Sequence, residues 1–398
     1  MLQPSLLFAP ATATSPPKVL VIAELGVNHD GQRARAMDMV TMAAAAGADA
    51  IKLQLFDPRH LLSNQAKLAA YQKEAGADDP FTMLDRLKLT AADLRAVRSA
   101  ARETGLAFIL TPFSLEDVPA LADLDVDAVK IASPDAVNTP LLRAAAALGK
   151  PMLISTGTCT MEELADAAAL LRSLSPWERV ADPRKSARPG ERSRVVAVGV
   201  SSMIDSRAAL IPGSPHSNPR PGGEGAGGAL LQCVSSYPTA DGQAAINGLV
   251  ALRERFGVPV GYSDHTRSLV SGAVAVAAGA CVIEKHFTYD RQAQGPDHAA
   301  SLDPVSFTHY VDLIREAQVM LGPIAKRVLP CEQDVRAVSR QSVCAVCDLS
   351  PGHVVREKDV TVRRPGTGIP ARELERVVGR RLRVAVRGGD LLRADDLE

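Results

Sequence analysis

Between Val19 and Leu321 the chain repeats one unit: a short apolar run, a polar loop, then an Ala/Leu-rich amphipathic stretch. The apolar runs are Val19–Leu25, Ala50–Leu55, Ala107–Thr111, Ala128–Ala132, Met152–Ser155, Ala229–Ser235, Val258–Ser263 and Cys281–His286. Each is nearly continuous rather than alternating, as expected of parallel strands covered on both faces. Helical patterns lie between them, at Arg33–Ala46, Ala91–Thr104, Met161–Leu174, Ala244–Phe256 and Ser268–Ala278, and Pro304–Leu321 follows the last run. Eight such alternations predict a closed (β/α)8 barrel over residues 18–322 rather than an open sheet. No GxGxxG follows the first run, which argues against a dinucleotide fold.

Three segments fall outside this rhythm. The leader, residues 1–17, has no basic start and only a short apolar run broken by Pro10, so it reads as disordered rather than as a signal peptide. Residues 175–228 are rich in Pro, Gly, Ser and Arg, with too little apolar surface to offset ordering entropy, and read as a mobile insertion. Its place between the fifth helix and the sixth strand puts it on the barrel face opposite the strand C-termini. After Gly322 a linker, 323–338, leads to a compact, mostly β module at 339–398, small for a self-sufficient core.

The strand ends carry the chemistry. Glu24, Lys52 with Gln54, Thr111, Lys130, Ser155, Ser263 with His265, and Glu284 with His286 all stand where apolar strands finish. A charge on such a strand must reach a wet mouth or find a partner, because bare burial is costly. For one residue alone, a paired core charge is the simpler reading. Seven strand ends behaving alike favour a pocket of ionisable groups. His265 and His286 end adjacent strands, which lie about 4.8 Å apart, so the two imidazoles suit one divalent ion; two hydrogen-bonded core histidines are the alternative. Glu284 shares the face of His286 by the period of two, as a ligand or an orienting group. Lys52 and Lys130, with the hydroxyls of Thr111, Ser133, Ser155 and Ser263, suit a phosphate and a carboxylate.

Lys+Arg and Asp+Glu balance at 45 each, so no overall field draws nucleic acid or an anionic membrane, and an anionic substrate must be held locally. No apolar stretch approaches a membrane span. Six scattered cysteines imply no disulfide framework, and the single CxxC (Cys344, Cys347) lacks the second pair a zinc site usually needs. The expected compartment is the cytoplasm.

The segments AELGVNHDG, KLQLF, KIAS, ISTGT, SSYP, YSDHT, EKHFT and GPDHAASL, in this order, resemble the sialic acid (N-acetylneuraminate) synthase family. The tail with RRPGTGI resembles the antifreeze-like (SAF-type) domain that ends those enzymes. The resemblance implies a transferase that condenses phosphoenolpyruvate with an N-acylated amino-hexose, N-acetylmannosamine or a diacetamido relative leading to legionaminic or pseudaminic acid, giving a nine-carbon 2-keto acid and phosphate. Carried over by position, it implies phosphoenolpyruvate contacts from Lys52, Thr111, Lys130, Ser133, Ser155 and Ser263. It implies a divalent manganese or magnesium ion on His265 and His286, with Glu24 beside the metal and its water. Gln54, Tyr237 and Asp297 match positions near the sugar. Arg364 matches an arginine given to the sugar by the antifreeze-like domain of a partner subunit, in a swapped homodimer. Ser133–Pro134–Asp135 replaces the family's usual SGE or SGD, and Ser235 stands where an Asn often helps hold phosphoenolpyruvate, departures that bear on the sugar rather than on the reaction class. Two other readings are a related barrel synthase acting on another aldose and a non-catalytic sugar-binding protein. The tail argues against the first, and retention of Lys52, His265 and His286 against the second.

Overall fold

The computed structural model describes residues 18–67, 79–174, 227–323 and 325–398. Leader residues 1–17 lie outside them, as does most of the insertion. The chain divides into two units, Met1–Ile324 and Ala325–Glu398.

In the first unit eight parallel strands close into a barrel in sequence order: β1 (Leu20–Gly26), β2 (Ala50–Leu55), β3 (Ala107–Pro112), β4 (Ala128–Ile131), β5 (Met152–Ser155), β6 (Gly228–Cys233), β7 (Val260–Asp264) and β8 (Val282–His286). β8 returns to β1 with Glu24 opposite His286. Alternation sorts every strand into two faces. Leu20, Ile22, Ala50, Ala107, Ile109, Ala128, Leu153, Ala229, Leu231 and Val282 pack together as one buried cluster. By the period of two these are the inward positions, so the lower barrel is filled with small and branched apolar side chains. The next inward positions up are Glu24, Lys52, Thr111, Lys130, Ser155, Cys233, Ser263 and Glu284. Apolar packing therefore ends where the polar layer begins.

In chain order the helices are α1 (Arg33–Ala45), α2 (Pro58–Leu61), α3 (Pro80–Leu87), α4 (Ala91–Glu103), α5 (Val118–Asp123), α6 (Thr139–Ala146), α7 (Ala165–Leu174), α8 (Gly248–Phe256), α9 (Ser271–Ala277) and α10 (Pro304–Leu321). The outward strand faces meet a ring of these helices, except that α2 and α3 pack with Val27, Phe56 and Phe113 in a separate cluster. Their starts carry the expected signals. Thr90 and Asp93 form a reciprocal capping box at α4, and Asp303 caps α10 just before Pro304. The short helices α2, α3, α5 and α6 were not legible as periodic patterns.

The end of α7 and the start of β6 meet directly, with Gly227 N–H donating to Leu174 O at 3.2 Å. The barrel thus resumes at Gly228, the last residue of the segment read as an insertion. A chain whose two ends already touch needs little to bridge them. Replacing residues 175–226 by about four Gly/Ser residues should leave turnover within about twofold and the melting temperature within a few degrees. A large loss of turnover in a folded deletion would assign those residues a role in the active enzyme.

In the second unit β9 (Ser342–Ala345) and β10 (Val360–Arg363) pair antiparallel, and further single bridges join Leu349 to Val386 and Leu382 to Leu397. Val343, Ala345, Leu349, Val355, Val360, Ile369, Leu382, Val386 and Leu392 make its core. The stretch read as a linker is not bare: α11 (Gln333–Ser339) lies in it, and Gly366 N–H donates to Ala337 O at 2.9 Å. All six cysteines are free thiols. Among the described residues no helix is long and apolar enough to cross a membrane.

Candidate active site

The polar inward layer is a network of four buried ions. Lys52 Nζ lies 3.1 Å from Glu24 Oε2 and 3.7 Å from Glu284 Oε2, and Lys130 Nζ lies 3.6 Å from Glu284 Oε1. Ser263 Oγ donates to Glu284 Oε1 at 2.8 Å, and Lys52 reaches Thr111 Oγ1 at 3.4 Å. Glu284, read as a metal ligand or orienting group, forms ion pairs with two lysines and accepts a hydrogen bond from a serine. Gln54 Nε2 donates to Glu24 Oε1 at 3.4 Å.

Environment separates the two carboxylates. Burial pushes Glu24 up to about 7, with Lys52 pulling the other way and Glu284 adding to the rise. Glu284 suffers the same burial, but Lys130, Lys52 and the Ser263 hydroxyl hold it down at about 2. Lys130 is lowered, chiefly by burial. Lys52 is also penalised by burial, but Glu24 and Glu284 hold it above its ordinary value, so we take Lys52 as charged. One carboxyl is thus poised to exchange protons near neutral pH while the other stays ionised, the separation that assigns acid–base roles.

Across the mouth, His265 and His286 have ring centroids 5.5 Å apart, and Tyr237 packs on both at 4.2 and 5.7 Å. Burial lowers His265 to about 4 and takes His286 well below its ordinary value, so both rings are neutral. His265 Nδ1 faces Val234 O at 2.7 Å. A carbonyl only accepts, so Nδ1 carries the proton and Nε2 keeps its lone pair. His286 Nδ1 is buried without a hydrogen-bond partner, and Asp297 Oδ2 lies 3.9 Å away. Burial pushes Asp297 up to about 6. Two neutral imidazoles beside carboxyls fit a divalent ion, although among the described residues no three His, Cys, Asp or Glu side chains are drawn together as a ready cage.

A cavity of about 530 Å³ joins these groups, and its lining includes every expected site residue of the barrel: Glu24, Lys52, Gln54, Thr111, Lys130, Ser133, Asp135, Ser155, Ser235, Tyr237, Ser263, His265, His286 and Asp297. Ser155 Oγ is buried there with no hydrogen-bond partner. Ser133 Oγ accepts from Gly157 N–H at 3.0 Å and touches Cys233 Sγ at 3.0 Å, which ties the β4 and β5 loops together. Ser133–Val137 forms a 3-10 turn in which Asn138 donates to Asp135 at 3.1 Å, and burial raises the Asp135 carboxyl. Arg364 belongs to the second unit, on an exposed loop. Sequence reading missed the apolar wall of the cavity, where Val27, Phe56, Met83 and Leu87 cluster with Phe113. Asp79 before Pro80 at the start of α3 was the available signal.

A closed barrel whose mouth brings two lysines, paired carboxylates and several hydroxyls together, followed by a small β unit, defines a class: barrel enzymes with their site at the strand C-termini. Comparison gives the family. Residues 39–326 match the NeuB family and residues 340–398 the SAF domain. The chain belongs to the NeuB family, and is a phosphoenolpyruvate-dependent transferase that forms a carbon–carbon bond with a sugar. It is 32% identical to the N,N'-diacetyllegionaminic acid synthase of Legionella pneumophila, over 95% of this chain and 94% of that one. It is 29% identical to the pseudaminic acid synthase of Campylobacter jejuni, over 96% and 97%. Among solved structures it resembles the N-acetylneuraminic acid synthetase of Leptospira borgpetersenii, with TM-score 0.61 and 26% identity over 80% of this chain and 90% of that one.

Proposed function

We propose that this enzyme condenses phosphoenolpyruvate with an N-acylated amino-hexose, N-acetylmannosamine or a diacetamido relative, to give a sialic-acid-type nine-carbon 2-keto acid and phosphate. The observation that carries this reading is a single cavity lined by Lys52, Lys130 and the partnerless Ser155 hydroxyl together with two neutral histidines and an apolar cluster. Lysines and hydroxyls suit the phosphate and carboxylate of phosphoenolpyruvate. An acyl methyl suits the wall of Phe56, Met83 and Leu87, which a plain aldose would leave uncovered.

The chemistry assigns each group a task. Lys52, Lys130, Thr111, Ser133, Ser155 and Ser263 fix phosphoenolpyruvate with its methylene carbon toward the sugar aldehyde, and Gln54, Tyr237 and Asp297 orient the acceptor. His265 and His286 would hold a divalent manganese or magnesium ion, which when bound polarises the aldehyde oxygen as a Lewis acid. The enol double bond supplies the electron pair of the new carbon–carbon bond and leaves an oxocarbenium-like C2. Water adds at C2 as Glu24 takes its proton. The bond from C2 to the phosphate oxygen then breaks and phosphate departs against the lysines, taking the proton of the C2 hydroxyl as that becomes the ketone, while the proton held by Glu24 passes to the former aldehyde oxygen, now a hydroxyl.

A phosphate-release assay with phosphoenolpyruvate, manganese and a panel of sugars tests this. Release is expected with one or more of N-acetylmannosamine, its 6-phosphate and diacetamido hexoses, and not with arabinose or erythrose phosphates. The reverse pattern overturns the acceptor assignment. Exhaustive chelation should abolish turnover and added manganese or magnesium restore it; full activity after chelation removes the ion from the mechanism.

A further inference from the structure

The site residues of β7 and β8 alternate with residues that point the other way. Between Ser263 and His265 stands Asp264, and between Glu284 and His286 stands Lys285; the two are register partners. They are 1% and 0% exposed, behind the barrel wall. Lys285 Nζ lies 2.9 Å from Asp264 Oδ2, which also accepts from Tyr310 OH at 2.8 Å and from Ser271 Oγ. A buried ion pair is seldom more stabilising than apolar residues of equal size, so stability alone does not account for it.

Its contacts suggest another purpose. Asp264 Oδ1 accepts from Thr266 N–H at 2.8 Å, and Lys285 Nζ donates to Thr266 O at 2.5 Å. The pair therefore holds both backbone polar groups of the residue that follows His265. The ring of His265 is held separately by Val234 O. On β8, Lys285 immediately precedes His286, so one ion pair ties together the backbone beside both imidazoles.

We propose that the Asp264–Lys285 pair is a positioning device that locks the exit of β7 to β8 and so fixes the two imidazoles relative to one another. The inference rests on the reading that His265 and His286 act together on a ligand. It adds Asp264, Lys285 and, through its hydroxyl, Tyr310 to the residues on which the reaction depends, acting through the histidines rather than on substrate.

The test uses the full chain with Asp264→Asn and Lys285→Met combined, which removes both charges and leaves neither stranded. Histidine-selective 15N NMR of the ion-free protein reads the imidazoles directly. The expected result is a melting temperature close to the parent's, with the His265 Nδ1–H signal lost or averaged. Direct titration should show manganese binding about 10- to 100-fold weaker, and kcat should fall by a similar factor with the phosphoenolpyruvate KM within about threefold. Imidazole signals identical to the parent's in a folded double variant overturn the inference, whatever happens to turnover. Altered imidazoles with unchanged manganese affinity sustain the positioning role and instead overturn the two-histidine metal site. If the double variant fails to fold, Tyr310→Phe, which removes one donor to Asp264, carries the same test. Shifted imidazole signals with kcat about threefold lower support it, and an unchanged imidazole spectrum overturns it.

Discussion

Replacing Glu24 by Gln should lower kcat by about 10²- to 10⁴-fold, keep the phosphoenolpyruvate KM within about threefold, and erase the acid limb of the pH profile. Glu24 is buried at the end of β1, its pKa pushed up to about 7. As the proposed proton acceptor for water it must be ionised, so kcat/KM of the parent should fall as pH drops through about 7. The limb should vanish in the variant, because Gln neither gains nor loses a proton. Linkage gives an independent check. A carboxyl raised from 4.5 to about 7 keeps its proton in the native state after the unfolded chain has released it. Its contribution to stability therefore declines as pH rises through that window. Urea titrations should show the variant gaining on the parent by up to about 3 kcal/mol between pH 4 and pH 8. Glu284 acts oppositely: held at about 2, it supports the fold at neutral pH and loses that effect only as acid approaches its pKa. A Glu24→Gln enzyme with kcat within threefold of the parent, or with the acid limb intact, excludes Glu24 as the proton acceptor.

The barrel was legible because parallel strands buried on both faces leave a local signature, a short apolar run with a helical period behind it. Ala50–Leu55, Met152–Ser155 and Pro304–Leu321 were placed to the residue, and other ends moved by a few positions, as fraying allows. Strand-end polarity located the mouth, since inward positions alternate by two. That rule was silent about what each charge touches. Glu284 pairs with two lysines, neighbours distant in sequence that the period of two does not reveal. The rule also treated every strand charge as facing the mouth or paired, without telling one case from the other. Asp264 and Lys285 are the paired case, hidden because each lies one residue from a site residue. The apolar wall was missed for a different reason. α3 spans only Pro80–Leu87, too short for its period to stand out, and its packing partners come from loops after β1, β2 and β3.

Arg364→Ala should raise the sugar KM by about 10- to 100-fold, the equivalent of losing a charged hydrogen bond of about 1.5–3 kcal/mol, with little change in the melting temperature. The residue is exposed, so its removal empties no core. Its loop is nevertheless fixed within its own unit. Ser342 Oγ donates to Pro365 O at 2.8 Å and accepts from Gly368 N–H at 3.0 Å, and Gly366 N–H donates to Ala337 O at 2.9 Å. A guanidinium next to a backbone pinned at three points loses less freedom on meeting a ligand than one on a slack loop. An exposed arginine with no such task would make Arg364→Ala silent. If the arginine serves a partner's barrel in a twofold dimer, the defect can be complemented. Mixing His265→Ala with Arg364→Ala, each inactive at low sugar, and letting subunits exchange should produce mixed dimers in about half of cases. Each mixed dimer carries one site with both defects and one with neither, so about a quarter of parental activity should return. If each arginine serves its own barrel, every site in the mixture keeps one defect and nothing returns. A chain that runs as a monomer at assay concentration, or one cut after Leu329 that stays fully active, overturns the shared site.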